Sequence, residues 1–196
     1  MSYSIEEIQS ELQVLFKGNR YKHTLGVQYT SICLAMKYGI DLKKAELAGL
    51  LHDCAKQLPE ATMIEICKDH QESISDIEYL QPFLLHAKAG ACIAQDKFNI
   101  SDPDILNAIR FHTTGRPSMT MLEKIVFVAD YIEPGRNKAA HLDELRRLAF
   151  ENIDLTVLMI LNQTLEYLTT TDSVIDQQTV LTRDYYSELL RSSSHE

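Results

Sequence analysis

Apolar residues recur at helical spacing along almost the whole chain, and no segment sustains the apolar–polar alternation of a half-buried strand. Helices packed on helices are the fold this leaves. The punctuation agrees. Ser4 and Glu7 make a capping-box pair ahead of Ile5, Ile8, Leu12 and Leu15. A second helix is expected over 21–38, stopped by Gly39. Asp41 opens a third that ends near His52-Asp53, and Pro59 begins a fourth. The stretch 69–81 reads as less regular. Ala87, Ala89, Ala91 and Ala94 mark a helix over 85–98 whose small side chains admit a close neighbour. Ser101, with Pro103 and Asp104, starts another that ends near His112, and the Gly and Pro of 113–117 make a loop. Thr120 and Glu123 form a second capping box, opening a helix through Asp130 that breaks at 133–136. Further helices are expected over 142–150, 154–169 and 179–190, with 170–178 irregular. Val174-Ile175 is too short to count as a strand. With no repeat, low-complexity run or clear linker, residues 1–196 are expected to form a single all-α domain, extended at most by a small helical appendage.

The net charge of −9 argues against binding to nucleic-acid polymers, which needs a basic face. It leaves room for a small anionic substrate, because a metal and a few local cations dominate a pocket. Cys33, Cys54, Cys67 and Cys92 lack CxxC spacing and are expected to be buried thiols in a reducing compartment. The segment from Met1 to Glu7 has no basic stretch followed by an apolar core, and no apolar run approaches a bilayer-spanning length. The expected location is the cytosol, with no membrane partner.

Within this helical frame, His52-Asp53 closes the apolar stretch Leu47-Ala48-Gly49-Leu50-Leu51. The pair offers one imidazole and one carboxylate from a single short segment. A divalent metal needs more donors, and His23, His86, His112 and Asp130 lie in or at the ends of other helical segments. Asp130 follows Ile125-Val126-Phe127-Val128-Ala129 near a helix C-terminus, where a negative charge is unfavourable unless a cation faces it. A lone histidine is more often a surface or satisfied core residue, and His70 and His195 are read that way. His141 is read as a helix cap.

His23, then His52-Asp53, then the distant Asp130 resembles the signature of the HD-domain metal phosphohydrolases. Four longer blocks, Asn19-Arg20-Tyr21-Lys22-His23-Thr24, Leu51-His52-Asp53-Cys54-Ala55-Lys56, Ile109-Arg110-Phe111-His112-Thr113-Thr114-Gly115-Arg116 and Val128-Ala129-Asp130-Tyr131-Ile132-Glu133-Pro134, resemble the YqeK family within it. The resemblance implies an HD-domain helical bundle with a metal site between helices. It further implies a bacterial hydrolase that cuts diadenosine tetraphosphate symmetrically into two ADP, with iron as the metal. By the same resemblance His23, His52, Asp53 and Asp130 are the metal ligands, and His86 and His112 face the phosphates. It extends the nucleotide contacts to Thr113 and to Ser173, Val174, Ile175, Asp176 and Gln177. Asp176-Gln177-Gln178-Thr179 departs from the expected Pro-containing turn before the Thr.

A nitrogen–oxygen ligand set without thiolate suits iron, manganese, cobalt, nickel or zinc, and excludes a Cys-rich structural zinc site. Phosphoanhydride cleavage also needs neutralisation of the non-bridging and leaving oxygens. Lys56 follows the His-Asp pair by three residues, and Arg136 follows Pro134-Gly135; both are phosphate-contact candidates, each weighed against a solvated surface role. Arg116, beside Gly115 and Pro117, reads equally as loop-stabilising. Asp130 is assigned both ligation and orientation of the attacking water, and His86 and His112 either proton donation or a phosphate clamp. The substrate is then a small dinucleotide. The competing readings are a nucleotidase or phosphodiesterase on other purine nucleotides, a non-catalytic nucleotide-binding sensor, and, more distantly, a structural helical adaptor. Tyr29, Met36 and Tyr38 fit either a homodimer face or packing within the chain.

Overall fold

The computed structural model describes residues 3–193, all helix, turn and loop with no strand among them. The expectations placed on Met1, Ser2 and His195 lie outside the described residues. Helix α1 (Ile5–Leu15) starts at the Ser4/Glu7 capping box. α2 (Arg20–Tyr38) ends on Gly39 in the left-handed conformation, φ 68°. α3 (Leu42–Leu51) is capped by Asp41, whose side chain accepts the N–H groups of Lys43 and Lys44. α4 (Glu60–Asp69) follows Pro59. α6 (His86–Asp96), α7 (Pro103–Arg110), α8 (Met121–Ile132), α9 (Leu142–Leu148), α10 (Ile153–Thr170) and α11 (Gln177–Ser193) complete the long elements, with the Thr120/Glu123 box opening α8.

Several expectations are corrected. The stretch 69–81 contains α5 (Asp76–Leu80), opened by a capping box between Ser75 and Glu78, and a 3₁₀ turn (Pro82–Leu85) leads into α6. One helical turn is too short to show periodicity, so only the cap signalled it. Asp102, rather than Ser101, caps α7 through the N–H of Asp104. His141 stands at the N-cap of α9 but in the left-handed region, φ 55°, and its side chain makes no capping bond. Cys33 is exposed, unlike Cys54, Cys67 and Cys92. On α2 the inward stripe runs through Val27, Ser31, Leu34 and Ala35, and Cys33 lies off it.

The centre of the bundle is α2 packed on α3 and α8, with α7 against α3, α6 and α8, and α10 on the outer side of α8. Leu34, Leu50, Leu51, Ile109, Ile125, Val128, Ile160 and Leu161 are fully or almost fully buried there. The α2–α3 approach is close because residue 49 is glycine: a Cβ there would lie 2.7 Å from Ser31 Oγ and 3.1 Å from Gln28 Cα. A smaller cluster of Ala55, Met63, Cys67, Leu85 and Ala89 seats the start of α6 beside the end of α3. No helix of the described residues is long and apolar enough to cross a membrane.

Candidate metal and phosphate site

Three of the four site histidines stand where a helix begins or ends, and local hydrogen bonding aims them. His52 follows the last residue of α3, His86 is the first residue of α6 and His112 follows α7. Each turns Nδ1 onto the carbonyl three residues earlier, Gly49, Phe83 and Ile109, all at 2.7 Å. A carbonyl only accepts, so Nδ1 carries the proton and the Nε2 lone pair faces inward. The rings form a continuous edge-to-face row. Centroid separations are 5.4 Å for His23–His52, 5.1 Å for His52–His112 and 5.2 Å for His112–His86.

Asp53 lies along this row. Its Oδ2 is 3.5 Å from His52 Nε2 and 3.9 Å from His23 Nε2, and its Oδ1 is 3.4 Å from both His86 Nε2 and His112 Nε2. Asp130, in the last turn of α8, brings Oδ1 to 3.0 Å from His23 Nε2 and 3.8 Å from His52 Nε2. The atoms of His23, His52 and Asp130 lie within 4.8 Å of one another, as do those of His52, Asp53 and His112. The six expected site residues of the two metal-type clusters and the His86 end therefore meet in one place.

These donors fit a metal ion. His52 Nε2, His23 Nε2 and Asp53 Oδ1 are buried without a hydrogen-bond partner. An unsatisfied buried polar atom costs about 1–3 kcal/mol, and three in one cluster is an improbable packing outcome. A lone pair on His52 Nε2 facing two carboxylate oxygens is repulsive, and a cation between them makes every contact favourable. Two overlapping groups of nitrogen and oxygen donors could hold such an ion, His23 with His52 and Asp130, and His52 with Asp53 and His112.

Electrostatics run the same way. Burial alone would raise the Asp53 carboxyl, but the facing His52, His112 and Lys56 hold it well below the usual carboxylate range. Burial likewise opposes ionisation of Asp130, and the neighbouring His23 and His52 imidazoles overcome it and hold its carboxyl below the usual carboxylate range. For His23, burial works against the proton, yet the nearby Asp130 carboxylate and the Glu133 hydrogen bond raise its pKa overall. His86 is pushed down to about 3, first by burial, then by Lys56 and His112.

Three cations ring the cluster in a chain of net charge −9. Lys56 Nζ is 2.8 Å from His86 Nε2 and 3.9 Å from Asp53 Oδ1. Burial lowers the Lys56 pKa, partly offset by Asp53 and Asp130. Arg136 donates from Nη2 to Asp130 Oδ1 at 2.8 Å and from Nε to the Asp130 carbonyl at 3.0 Å. Arg20 donates from Nη1 to Asp53 Oδ2 at 2.6 Å. Thr113 Oγ1 stands between His86 Nε2 and His112 Nε2 at 3.1 and 3.2 Å. Arg116 is not among them: it grips the Glu123 carboxylate with Nε and Nη2 at 2.9 and 2.7 Å and lies over the Phe111 ring, which makes it loop-stabilising.

Beside Thr113 opens a cavity of about 550 Å³, lined also by Lys88, Arg110, Asp176, Gln177 and Gln178. Asp176 caps α11 through the N–H of Gln178, which fixes this wall. Ser173, Val174 and Ile175 lead into it from the turn after α10 without lining it. A second cavity of about 340 Å³, lined by Leu12, Leu15, Leu58, Ile66 and Phe98 among others, holds none of the expected site residues.

Arg20, Glu133 and Arg146 were not singled out from the sequence. Arg20 sits one helical turn before His23, and Glu133 three residues after Asp130, so i,i+3 spacing to an expected ligand was the available signal. Arg146 carried none. It reaches across to the carbonyls of Ile132 and Arg136 at 3.0 and 2.8 Å and pins the turn that carries Arg136.

A profile of the HD domain matches residues 20–135, which span every histidine and carboxylate of the cluster. Fold and site together define an HD-domain phosphohydrolase. The chain is 40% identical over 167 residues, 85% of its length and 89% of the relative's, to a symmetrical bis(5'-nucleosyl)-tetraphosphatase of Bacillus subtilis (strain 168). It is 36% identical over 186 residues, 94% and 95% of the two lengths, to one of Staphylococcus aureus (strain NCTC 8325 / PS 47). A crystal structure of a predicted HD superfamily hydrolase involved in NAD metabolism from Clostridium acetobutylicum superposes with a TM-score of 0.92 at 41% identity, covering 96% of this chain and 99% of that one. The chain belongs to the YqeK family of HD-domain phosphohydrolases.

Proposed function

We propose that the protein hydrolyses diadenosine tetraphosphate at the middle of its phosphate bridge, releasing two ADP. The observation that carries the reading is the ring of Arg20, Lys56 and Arg136 around one cluster of metal donors, next to a cavity large enough for a nucleoside. The similarity to symmetrical tetraphosphatases supports this substrate over other purine nucleotides.

His23, His52, Asp53 and Asp130 would hold the metal, and iron, expected from the family resemblance, is the metal we assign. When bound, such a metal polarises a phosphoryl oxygen and lowers the pKa of water. The second task of Asp130 is to orient the attacking water as a hydrogen-bond acceptor. Lys56 and Arg136 neutralise charge on the bridge and on the departing ADP. A buried, neutral His86 that already accepts from Lys56 supports the clamp role over proton donation, with Thr113 and His112 completing that wall. Asp176 and Gln177 hold one nucleoside, and Ser173, Val174 and Ile175 shape its approach.

We take residues 1–196 as one domain, since the main buried cluster runs from Ile8 to Tyr186, and we place the enzyme in the cytosol. A homodimer would use Tyr29 and Met36, both exposed on α2; Tyr38 spends its hydroxyl on the Ala149 carbonyl.

The test is turnover under reducing conditions with iron or manganese, with metal content measured and products separated by chromatography. ADP alone is expected, with one heavy-oxygen label from solvent in one of the two ADP molecules. AMP with ATP would overturn symmetric cleavage, and absence of turnover would favour a nucleotide sensor.

A further inference from the structure

His23 is held differently from the other three histidines. Those use a neutral carbonyl from their own segment. His23 instead turns Nδ1 to Glu133 Oε1 at 3.1 Å, a partner 110 residues away. Glu133 is only 3% exposed, and its other oxygen accepts the N–H of Gly135 at 2.5 Å. Among the described residues its carboxylate meets no lysine or arginine; Arg146 reaches only its backbone carbonyl, at 3.2 Å. The one ionisable partner of this buried carboxylate is therefore His23.

Helix α2 is cut away to admit it. A Cβ at Gly26 would lie 3.0 Å from Glu133 Cδ and 3.3 Å from its Cβ, and nearer still to Oε2. Gly26 is mid-helix, where glycine is the poorer choice for helix stability. Its presence is explained by the carboxylate that occupies the space.

We propose that Glu133 is a positioning residue that completes the metal site by acting through His23, and that Gly26 is the vacancy on α2 that lets it do so. Glu133 accepts the Nδ1 proton of His23, which fixes the tautomer and leaves Nε2 as the donor to the cluster. Its negative charge makes that imidazole a stronger donor and adds an anion outside the ligand set. Carboxylate–histidine–metal relays of this kind alter metal affinity by about 10- to 100-fold. The inference rests on the metal reading of the site above.

The experiment compares wild type, Glu133→Gln and Gly26→Ala after metal removal. Kd for Mn²⁺ is measured by competition with a chelator, and the melting of each metal-free protein is recorded. Glu133→Gln keeps a hydrogen-bond acceptor but removes the charge, and should weaken Mn²⁺ by about 10- to 100-fold. Gly26→Ala leaves Glu133 in the chain but displaces its carboxylate, and should weaken Mn²⁺ as well. Wild-type Kd in both variants overturns the inference, including the case where only the melting temperature falls, because Glu133 is then a packing residue. A wild-type protein that does not bind Mn²⁺ overturns the metal reading itself and this inference with it.

Discussion

Replacing Arg136 with alanine separates stability from catalysis. The Arg136 side chain is 44% exposed and, among the described residues, pairs with Asp130, at 2.8 Å from Nη2 to Oδ1 and at 3.0 Å from Nε to the carbonyl. An exposed pair of this kind contributes about 0–1 kcal/mol to stability. For a chain of this length that is a fall in Tm of roughly 2–4 °C at most. The effect on catalysis is of another size. Asp130 fixes the guanidinium at the edge of the donor cluster, so the ordering of that side chain is already complete before substrate arrives. A charge-assisted hydrogen bond to a phosphate oxygen is worth roughly 1.5–3 kcal/mol, which corresponds to about a 10- to 150-fold loss in kcat/KM. Arg136→Lys should recover only part of it, because an ammonium cannot hold both Asp130 and a phosphate with a planar fork. The assay is the initial rate of ADP release from diadenosine tetraphosphate at equal metal content, with thermal melting alongside. Unchanged kcat/KM in Arg136→Ala would refute the argument and return Arg136 to a surface ion pair.

Asp130→Asn keeps the shape and removes the charge; kcat should fall by about 100-fold or more with the melting transition retained, and wild-type kcat at saturating metal would leave Asp130 structural. Alkaline stability should follow Cys92, whose thiol is pushed up to about 12 by burial and by the Glu72 carboxylate, against 9.0 in the unfolded chain. The unfolded state therefore ionises first. Stability present below about pH 9 is lost as pH rises toward 12, with a slope of at most about 1.4 kcal/mol per pH unit from this group. Cys92→Ala should flatten that decline in urea melts taken from pH 8 to 11, and an unaltered slope would refute the assignment.

The sequence by itself determined the helices and the kinds of ligand. Capping at Ser4, Asp41 and Thr120, and the stop at Gly39, depend on contacts three or four residues apart, so they are legible from neighbours alone. The same locality explains why His52-Asp53 and the Asp130 helix end stood out. It also explains what the chain hides: α5, at five residues, is too short for a helical period to repeat, and the exposure of Cys33 depends on which face of α2 meets α3 and α8. Only the tertiary structure decided which atoms meet. Asp53 lies between two pairs of imidazoles, Lys56 contacts His86 across 30 residues, and Glu133 reaches His23 across 110. Those contacts are set by helix packing, above all by the space left at Gly26 and Gly49. Packing of this kind depends on side-chain volumes from several helices at once, and no local pattern in the chain encodes it.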